Sequence, residues 1–172
     1  DVSILKLRAC FQQDHRNGSV EKVYHILKGY KKEGKLRGSV HGPLAAELTC
    51  SSRQDIVENC IGGRYLLAFV FTDKQDLDLL YRDHRQHARK IAYLLNETIH
   101  IPPRTFNPNV NGIDLKFADQ LLVEPKREVL SALCSSTGIS NTLVGDRNAQ
   151  REIDNHNNPL LKTLCPRITD DS

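Results

Sequence analysis

The sequence predicts an α/β fold, in which short strands alternate with amphipathic helices. The run from Arg64 to Phe71 is apolar, β-branched and aromatic throughout, which is typical of a strand covered on both faces. A helix-capping pattern stands on either side of it, Ser52 with Asp55 and Thr72 with Gln75. The order strand, helix, strand, helix therefore places the Arg64 to Phe71 strand in the middle of a sheet.

Two helices are predicted ahead of this block. Residues 1–17 form a short amphipathic piece that ends at Asn17-Gly18, and Ser19 caps a longer helix up to Gly34. Apolar residues recur along the longer helix at helical spacing, and this face must rest on the core or on another helix. They are Val20, Val23, Tyr24, Leu27 and Tyr30.

Glycines mark the boundaries of the next elements. The stretch from Gly38 to Pro43 predicts a tight turn that stops the preceding helix. A strand from Leu44 to Cys50 and a helix through Ile61 should follow, and Gly62-Gly63 should end that helix with a positive φ at one of the two. We expect backbone requirements, rather than ligand contacts, at Gly38, Gly42, Gly62 and Gly63.

The remaining elements are less regular. The helix after Thr72 should bury Leu77, Leu79, Leu80 and Tyr81. It precedes a strand from Ala88 to Leu95 and a loop from Ile99 to Gly112. The segment from Ile113 to Val123 suits either strand or helix. After it we predict a helix from Pro125 to Gly138, a strand from Ile139 to Val144, a helix from Asp146 to Asn155 and a strand from Leu160 to Leu164. The loop predicts a lobe boundary, giving a lead-in helix (1–35), a first lobe (36–100), an inter-lobe loop (101–112), a second lobe (113–166) and a frayed terminus (167–172).

Composition limits the class of protein. The 172 residues can bury a sizeable core, and no run approaches the roughly 18 apolar residues of a membrane helix. Because residues 1–10 lack the apolar core of a signal peptide, we expect an intracellular protein. The five cysteines are an odd number without a Cys-x-x-Cys pair, which indicates neither a disulfide framework nor a zinc site.

Basic residues are concentrated in two clusters, although the net charge is only +3. Each cluster is either a solvated face or an anion-binding surface. The first contains Lys28, Lys31, Lys32, Lys35 and Arg37, and the second contains Arg82, Arg85, Arg89 and Lys90. Tyr30 and Tyr81, within or beside the clusters, are candidates for stacking on bases.

The sequence gives little support for catalysis. It contains no phosphate-binding loop, no dinucleotide fingerprint and no His-Glu-x-x-His motif. His84 and His87 have a spacing that can hold a metal, but the arginines around them repel a cation. A thiol nucleophile at Cys60 or Cys134 is the enzymatic alternative, weighed against core packing. We predict no catalytic residue, metal, cofactor or small-molecule substrate.

Three strings in order carry a resemblance to a known family. They are Gly38-Ser-Val-His-Gly-Pro-Leu44, Glu58-Asn-Cys-Ile-Gly-Gly-Arg64 and Leu67-Ala-Phe-Val-Phe71. Together with Arg89 to Leu95 and Asn141 to Asp146, they resemble the hinge domain of structural maintenance of chromosomes (SMC) proteins over roughly residues 20 to 165. The usual Gly-Asp-Leu after the first turn is replaced by Ala45-Ala-Glu-Leu48. That departure sets the chain apart from cohesin-, condensin- and bacterial-type hinges. It looks most similar to the hinge of the fifth eukaryotic SMC protein, on Leu36-Arg-Gly38, Ala68-Phe-Val-Phe71 with Gln75-Asp76, and Cys134 before a short second lobe.

The resemblance implies an assembly module without enzymatic activity, because the ATPase heads of the family lie at the far ends of its coiled-coil arms. It implies two lobes of mixed β-sheet flanked by helices, a short coiled-coil stub before them, and dimerisation through edge strands with a second SMC hinge, that of the sixth SMC protein. The interface residues implied are Leu94, Leu95, Asn96, Thr142, Leu143, Val144 and Gly145.

The resemblance also implies DNA contact with a preference for single strands, and a nuclear role in chromosome maintenance and DNA repair. The two basic clusters are the candidate contacts, and we expect them to converge into one groove. A self-associating hinge of a chromatin-silencing protein is the alternative.

Overall fold

A computed structural model describes residues 3–15, 18–103 and 115–145, together with Arg151. Its elements are α1 (Ile4–Gln13), α2 (Ser19–Lys32), β1 (Val40–His41), α3 (Leu44–Glu47), α4 (Gln54–Ile61), α5 (Gly63–Leu66), β2 (Phe69–Phe71), α6 (Lys74–Ala88), β3 (Tyr93–Leu95), β4 (Leu115–Phe117), a 3-10 turn (Ala118–Leu121), α7 (Arg127–Ser136) and β5 (Leu143–Gly145). The fold is α/β in the broad sense predicted, with small sheets among many helices. The predicted helix 146–155, apart from Arg151, and the predicted strand 160–164 lie outside the described residues.

Two small sheets organise the chain. The first has the order β1-β2-β3, with β1 antiparallel to β2 and β3 parallel to it. The second pairs β4 with β5 in antiparallel register, so that Lys116 lies opposite Val144. The predicted central position of β2 in its sheet is confirmed.

Strand β2 divides the core into two clusters. Ala68 and Val70 face a cluster that also takes side chains from α4, α7 and both sheets. Phe69 and Phe71 face the opposite cluster, to which α1, α2 and α6 contribute. Both faces of β2 are therefore buried, as its apolar composition predicts.

Helix α2 is held inside the fold by its apolar face. The five residues predicted for this face are all buried, and α2 packs along α6 and against α1. The Phe11 and Tyr24 rings lie 5.6 Å apart at the α1–α2 contact. In the described structure, the face expected on a coiled-coil arm is covered by this chain's own helices.

The predicted strands are wrong in length, and two of them begin as helices. The predicted strand from Leu44 to Cys50 is helix α3 followed by a single bridge between Cys50 and Leu122. The first half of the predicted Arg64 to Phe71 strand is helix α5, because the Gly62 carbonyl accepts the amides of Tyr65 and Leu66. Short apolar runs satisfy a buried helical turn as well as a buried strand, so composition alone does not separate them.

Later elements differ from prediction in the same way. Ala88 ends α6, and β3 is only the last three residues of the predicted Ala88 to Leu95 strand. The ambiguous segment from Ile113 onwards contains β4 and then a 3-10 turn, and the strand predicted from Ile139 is reduced to Leu143–Gly145. The helix predicted after Pro125 is confirmed as α7, which ends at Thr137.

The helix caps also differ from prediction. Asp73, not Thr72, caps α6, since its Oδ1 accepts the Gln75 amide at 2.8 Å. Helix α4 starts after Arg53, which has a φ of 49° and no capping side chain. Asp14 Oδ2 accepts the Val20 amide at 2.9 Å and so performs the role predicted for Ser19.

No helix in the described ranges is both long enough and apolar enough to cross a membrane.

Candidate assembly edges and basic surface

The turn that leads into β1 is held by a buried carboxylate. Asp76, in the first turn of α6, is 1% exposed, and it accepts the Arg37 amide at 2.8 Å and the Gly38 amide at 2.9 Å. A Cβ at Gly38 would lie 2.5 Å from Thr72 Oγ1. Thr72 Oγ1 also accepts the Ser39 amide at 2.7 Å, so the end of β2 and the start of α6 together fix this turn.

At three of the four predicted glycines, either a positive φ or a close neighbouring atom disfavours a residue with a Cβ. Besides Gly38, Gly42 has a φ of +142°, and a Cβ there would lie 2.7 Å from a Phe69 ring carbon and 2.8 Å from the Ala68 carbonyl oxygen. Gly62 ends α4 with a φ of +84°. Gly63 has neither a positive φ nor a neighbour within 4 Å, so the structure gives it no backbone requirement.

Among the described residues, β3 pairs with β2 alone and so forms an edge of the first sheet. The Asn96 amide donates to the Phe71 carbonyl, and the Ala92 carbonyl accepts from the Phe69 amide. The backbone N–H and C=O groups of the even-numbered residues 92, 94 and 96 therefore point towards β2. Backbone groups alternate in direction along a strand, and those of Tyr93 and Leu95 therefore point outwards. An unpaired row of this kind is available to a strand of another chain.

Of the side chains predicted for this interface, some are exposed and others are buried, because successive side chains of a strand point to opposite faces. Leu95 is 41% exposed, but Leu94 lies in the core, and Asn96 is buried with hydrogen bonds to the Glu128 carbonyl and to Ser131. The side chains of Leu94 and Asn96 therefore face the interior of this chain, and the predicted interface itself stays a prediction. Tyr93, also 41% exposed, was missed although the period of two implies it.

Apolar side chains extend the exposed strip beyond β3. Ile99 and Ile101 are 43% and 37% exposed in the segment that follows the strand. With Tyr93 and Leu95 they form the β3 strip, four exposed apolar residues close together in sequence. Several exposed apolar residues in one short segment make that segment a candidate contact surface.

Strand β5 forms the second predicted edge. Ala118 donates to the Thr142 carbonyl, so by alternation the backbone groups of Leu143 and Gly145 point away from β4. Arg53 Nη1 donates to the Gly145 carbonyl at 3.2 Å. Val144 is 8% exposed, and its side chain packs in the core of this chain. Thr142 donates its hydroxyl to Gly138 within its own loop.

All nine predicted basic residues are exposed, and the structure distributes them over more than one surface. The two clusters meet where the Tyr30 hydroxyl donates to Asp83 Oδ2 at 3.1 Å. Lys35 lies 5.7 Å from the Tyr30 ring centre and pairs with Glu33, while Arg82 pairs with Asp83. This junction is the point at which the predicted convergence has contacts to support it.

Other basic residues face elsewhere. Lys28 and Lys31 line a cleft on the α1 side of α2. Lys22 of α2 lies outside the two predicted clusters and acts on His87 of α6: burial lowers the pKa of that imidazole, and the charges of Lys22 and Lys90 lower it further. Lys22 stands apart from the predicted clusters in the sequence, so the clustering of basic residues did not identify it.

The two tyrosines predicted to stack on bases already make contacts within this chain. Tyr30 is 6% exposed, and burial, with the hydrogen bond to Asp83, raises its pKa to about 12. Tyr81 is half-buried, and its ring meets that of Tyr93 edge-on at 6.4 Å. Tyr30 is therefore corrected from a stacking candidate to a core residue.

The thiols and histidines have structural surroundings. Burial raises the pKa of Cys10 and of Cys50, which disfavours the nucleophilic thiolate at both. Cys60 and Cys134 are half-buried and pack against the apolar core. His84 lies at a break in the helical geometry of α6. Within the described ranges, no three potential metal ligands come together.

Comparison with known proteins adds no relative. No family model, no curated protein and no solved structure matches the chain.

Proposed function

We propose that this chain is the dimerisation module of an SMC-type complex and pairs with a second hinge domain through its sheet edges. The ordered motifs from Gly38 to Phe71 support the family, and the edge of β3 supports the mode of assembly. The β3 strip carries the proposal, because outward backbone groups and exposed apolar side chains coincide there.

The partner supplies a strand in this arrangement. Main-chain hydrogen bonds to Tyr93 and Leu95 provide the pairing, and their side chains on one face provide apolar contact. The edge of β5, with outward groups on Leu143 and Gly145, is the surface that the partner's first sheet would meet. Glycine at position 145 favours close approach of a second backbone.

The two strand edges, β3 and β5, are joined through one hydrophobic core. Leu94 of β3 and Val144 of β5 lie in the same core cluster, together with residues of α4 and α7. A shared core holds both edges in a fixed relation, which lets two copies of such a module meet in a closed pair rather than in a chain.

DNA contact is the second part of the proposal. The exposed cations of α2 and α6 provide phosphate contacts, with the Tyr30–Asp83 junction holding the two helices side by side. A nuclear role in chromosome maintenance and DNA repair follows from the family and belongs to the same proposal.

Sizing the purified domain alone and mixed with a sixth-SMC-type hinge tests the assembly. A monomer that becomes a one-to-one dimer in the mixture supports the heterodimeric complex, and a dimer of the chain alone supports the self-associating hinge. A monomer in both samples contradicts the proposal.

A matched pair of variants locates the interface. Leu95→Lys places a charge on the β3 strip, and we expect it to abolish dimerisation. Val123→Lys makes the same change at an apolar residue that is 47% exposed and belongs to neither β3 nor β5, and it should dimerise like the parent. Equal behaviour of the two variants would show that the β3 strip is not the interface.

A further inference from the structure

A cleft of about 590 Å³ lies between α1, α2 and the turn at β1. Its walls include the apolar side chains of Leu7, Leu27 and Phe69. Small-molecule sites in proteins have volumes of roughly 300 to 1,000 Å³ and combine apolar walls with a few polar groups. This cleft has the same two kinds of lining.

The interior of the cleft holds an unpartnered carboxylate oxygen. The Glu47 side chain is only 9% exposed, and its Oε1 accepts from Lys126 Nζ at 3.3 Å. Its Oε2 is buried and has no hydrogen-bond partner in the described part of the chain. A buried carboxylate oxygen that has lost its water is unfavourable until a donor reaches it.

A second polar atom lies beside it in the same condition. His41 has an 11% exposed side chain, with Nδ1 3.8 Å from Glu47 Oε1 and Nε2 3.9 Å from Glu128 Oε2. Both separations exceed hydrogen-bond distance, and Nε2 is without a partner among the described residues. The buried end of the cleft thus holds two polar atoms, Glu47 Oε2 and His41 Nε2, that have no hydrogen-bond partner among the described residues.

The outer end of the cleft carries positive charge. Lys28 and Lys31 are exposed on the α2 side, whereas the ammonium of Lys126 is already paired with Glu47. Lys28 Nζ also lies 4.9 Å from the centre of the Tyr24 ring, which forms part of the wall. Lysine ammonium groups bind phosphate as point charges.

We propose that this cleft binds a nucleotide phosphate, with the phosphate at Lys28 and Lys31 and the amino or hydroxyl donors of the base or sugar turned towards Glu47. The apolar walls accommodate the body of the nucleoside between these two ends. The inference does not rest on the proposed dimerisation, because it uses neither a partner chain nor the sheet edges, but it shares Lys28 and Lys31 with the proposed DNA contact.

Calorimetric titration with AMP, adenosine and inorganic phosphate tests whether the cleft recognises both the phosphate and the nucleoside. We expect AMP to bind at least about tenfold more tightly than either fragment, since each fragment lacks the contacts of one end. AMP that binds no better than inorganic phosphate would overturn the proposal and indicate general attraction of anions. AMP that binds no better than adenosine would overturn the role of the lysines.

Variants separate the two ends. Glu47→Met should weaken AMP binding by about tenfold, because the acceptor for the donors of the base or sugar is lost, and it should not weaken phosphate binding. Lys28→Gln combined with Lys31→Gln should weaken both ligands. Lys32→Gln, an exposed lysine of α2 that does not line the cleft, is the matched control. A control that loses as much affinity as the double variant would contradict the site.

Competition distinguishes the source of the nucleotide. An oligonucleotide with a 5′-phosphate should displace AMP if the ligand is a strand end, and the same oligonucleotide without the phosphate should not. If neither displaces AMP, the cleft takes free nucleotides. The Leu95→Lys variant should bind AMP like the parent, so failure of dimerisation and failure of this site give different results.

Discussion

At the scale of single residues, the contact between Tyr30 and Asp83 joins the two helices that carry the basic clusters. The phenol is 6% exposed and its pKa is raised to about 12, first by burial and then by the hydrogen bond to Asp83. Below pH 10 the phenol is protonated in both the folded and the unfolded chain, so its full contribution to stability is present. As the pH rises from 10 towards 12 the unfolded phenol ionises first, and the contribution is lost.

We therefore expect Tyr30→Phe to remove part of the alkaline pH dependence of stability. The free energy of unfolding of the parent should fall more steeply between pH 10 and pH 12 than that of the variant. Urea unfolding at closely spaced pH values measures both curves. Parallel curves over that interval would contradict the assigned pKa.

The glycines provide a second test at this scale. A side chain at Gly42 meets both an unfavourable φ and three atoms of Ala68 and Phe69 within 2.9 Å. Gly42→Ala should lower the free energy of unfolding by about 2 kcal/mol or more. Gly63→Ala, in open space at the start of α5, should change it by less than about 0.5 kcal/mol. Equal losses, measured by denaturant midpoint, would show that close approach at Gly42 is not the constraint.

At the scale of elements, Asp76 couples α6 to the turn before β1. Both carboxylate oxygens accept a backbone amide, and an amide side chain retains only one acceptor. Asp76→Asn should cost about 1 to 3 kcal/mol, because one buried N–H loses its partner. Asp78→Asn, at an exposed position of the same helix, is the control and should be close to neutral. A variant at position 76 as stable as the control would contradict this anchoring role.

Elements were predictable from sequence in proportion to their length. Helices α2, α6 and α7 have apolar residues at helical spacing over ten or more residues, so their existence was clear. The strands have two or three residues each, too few for an alternation to be read. The one-turn helices α3 and α5 lie within runs that also suit a strand, and their conformation is seen only in the hydrogen bonds accepted by the carbonyls of Pro43 and Gly62.

The candidate interface shows the same limit. The sequence located β3, but which residues face outwards depends on the register with β2. That register sends Leu94 to the core and exposes Tyr93 and Leu95. A shift of one residue would have reversed the assignment.

At the scale of the whole molecule, the basic surface is tested by salt dependence. Replacing Lys31, Lys32 and Lys35 with glutamate in one variant, and Arg82, Arg85 and Arg89 in another, should weaken single-strand binding and flatten its dependence on salt. Each phosphate contact adds about 0.7 to the log-log salt slope. Lys116→Glu, at an exposed position of β4, is the control for a general change of charge. A triple variant with the affinity and slope of the parent would exclude its cluster from the DNA surface.

The central claim is that β3 pairs with a strand of a partner, and amide hydrogen exchange at single residues tests it most directly. In the free chain the outward amides of Tyr93 and Leu95 should exchange quickly, while Leu94, whose amide points towards β2, is protected. Mixing with the partner hinge should slow exchange at Tyr93 and Leu95 and leave Leu94 unchanged. A complex in which both outward amides still exchange at their free rates would contradict pairing at this edge.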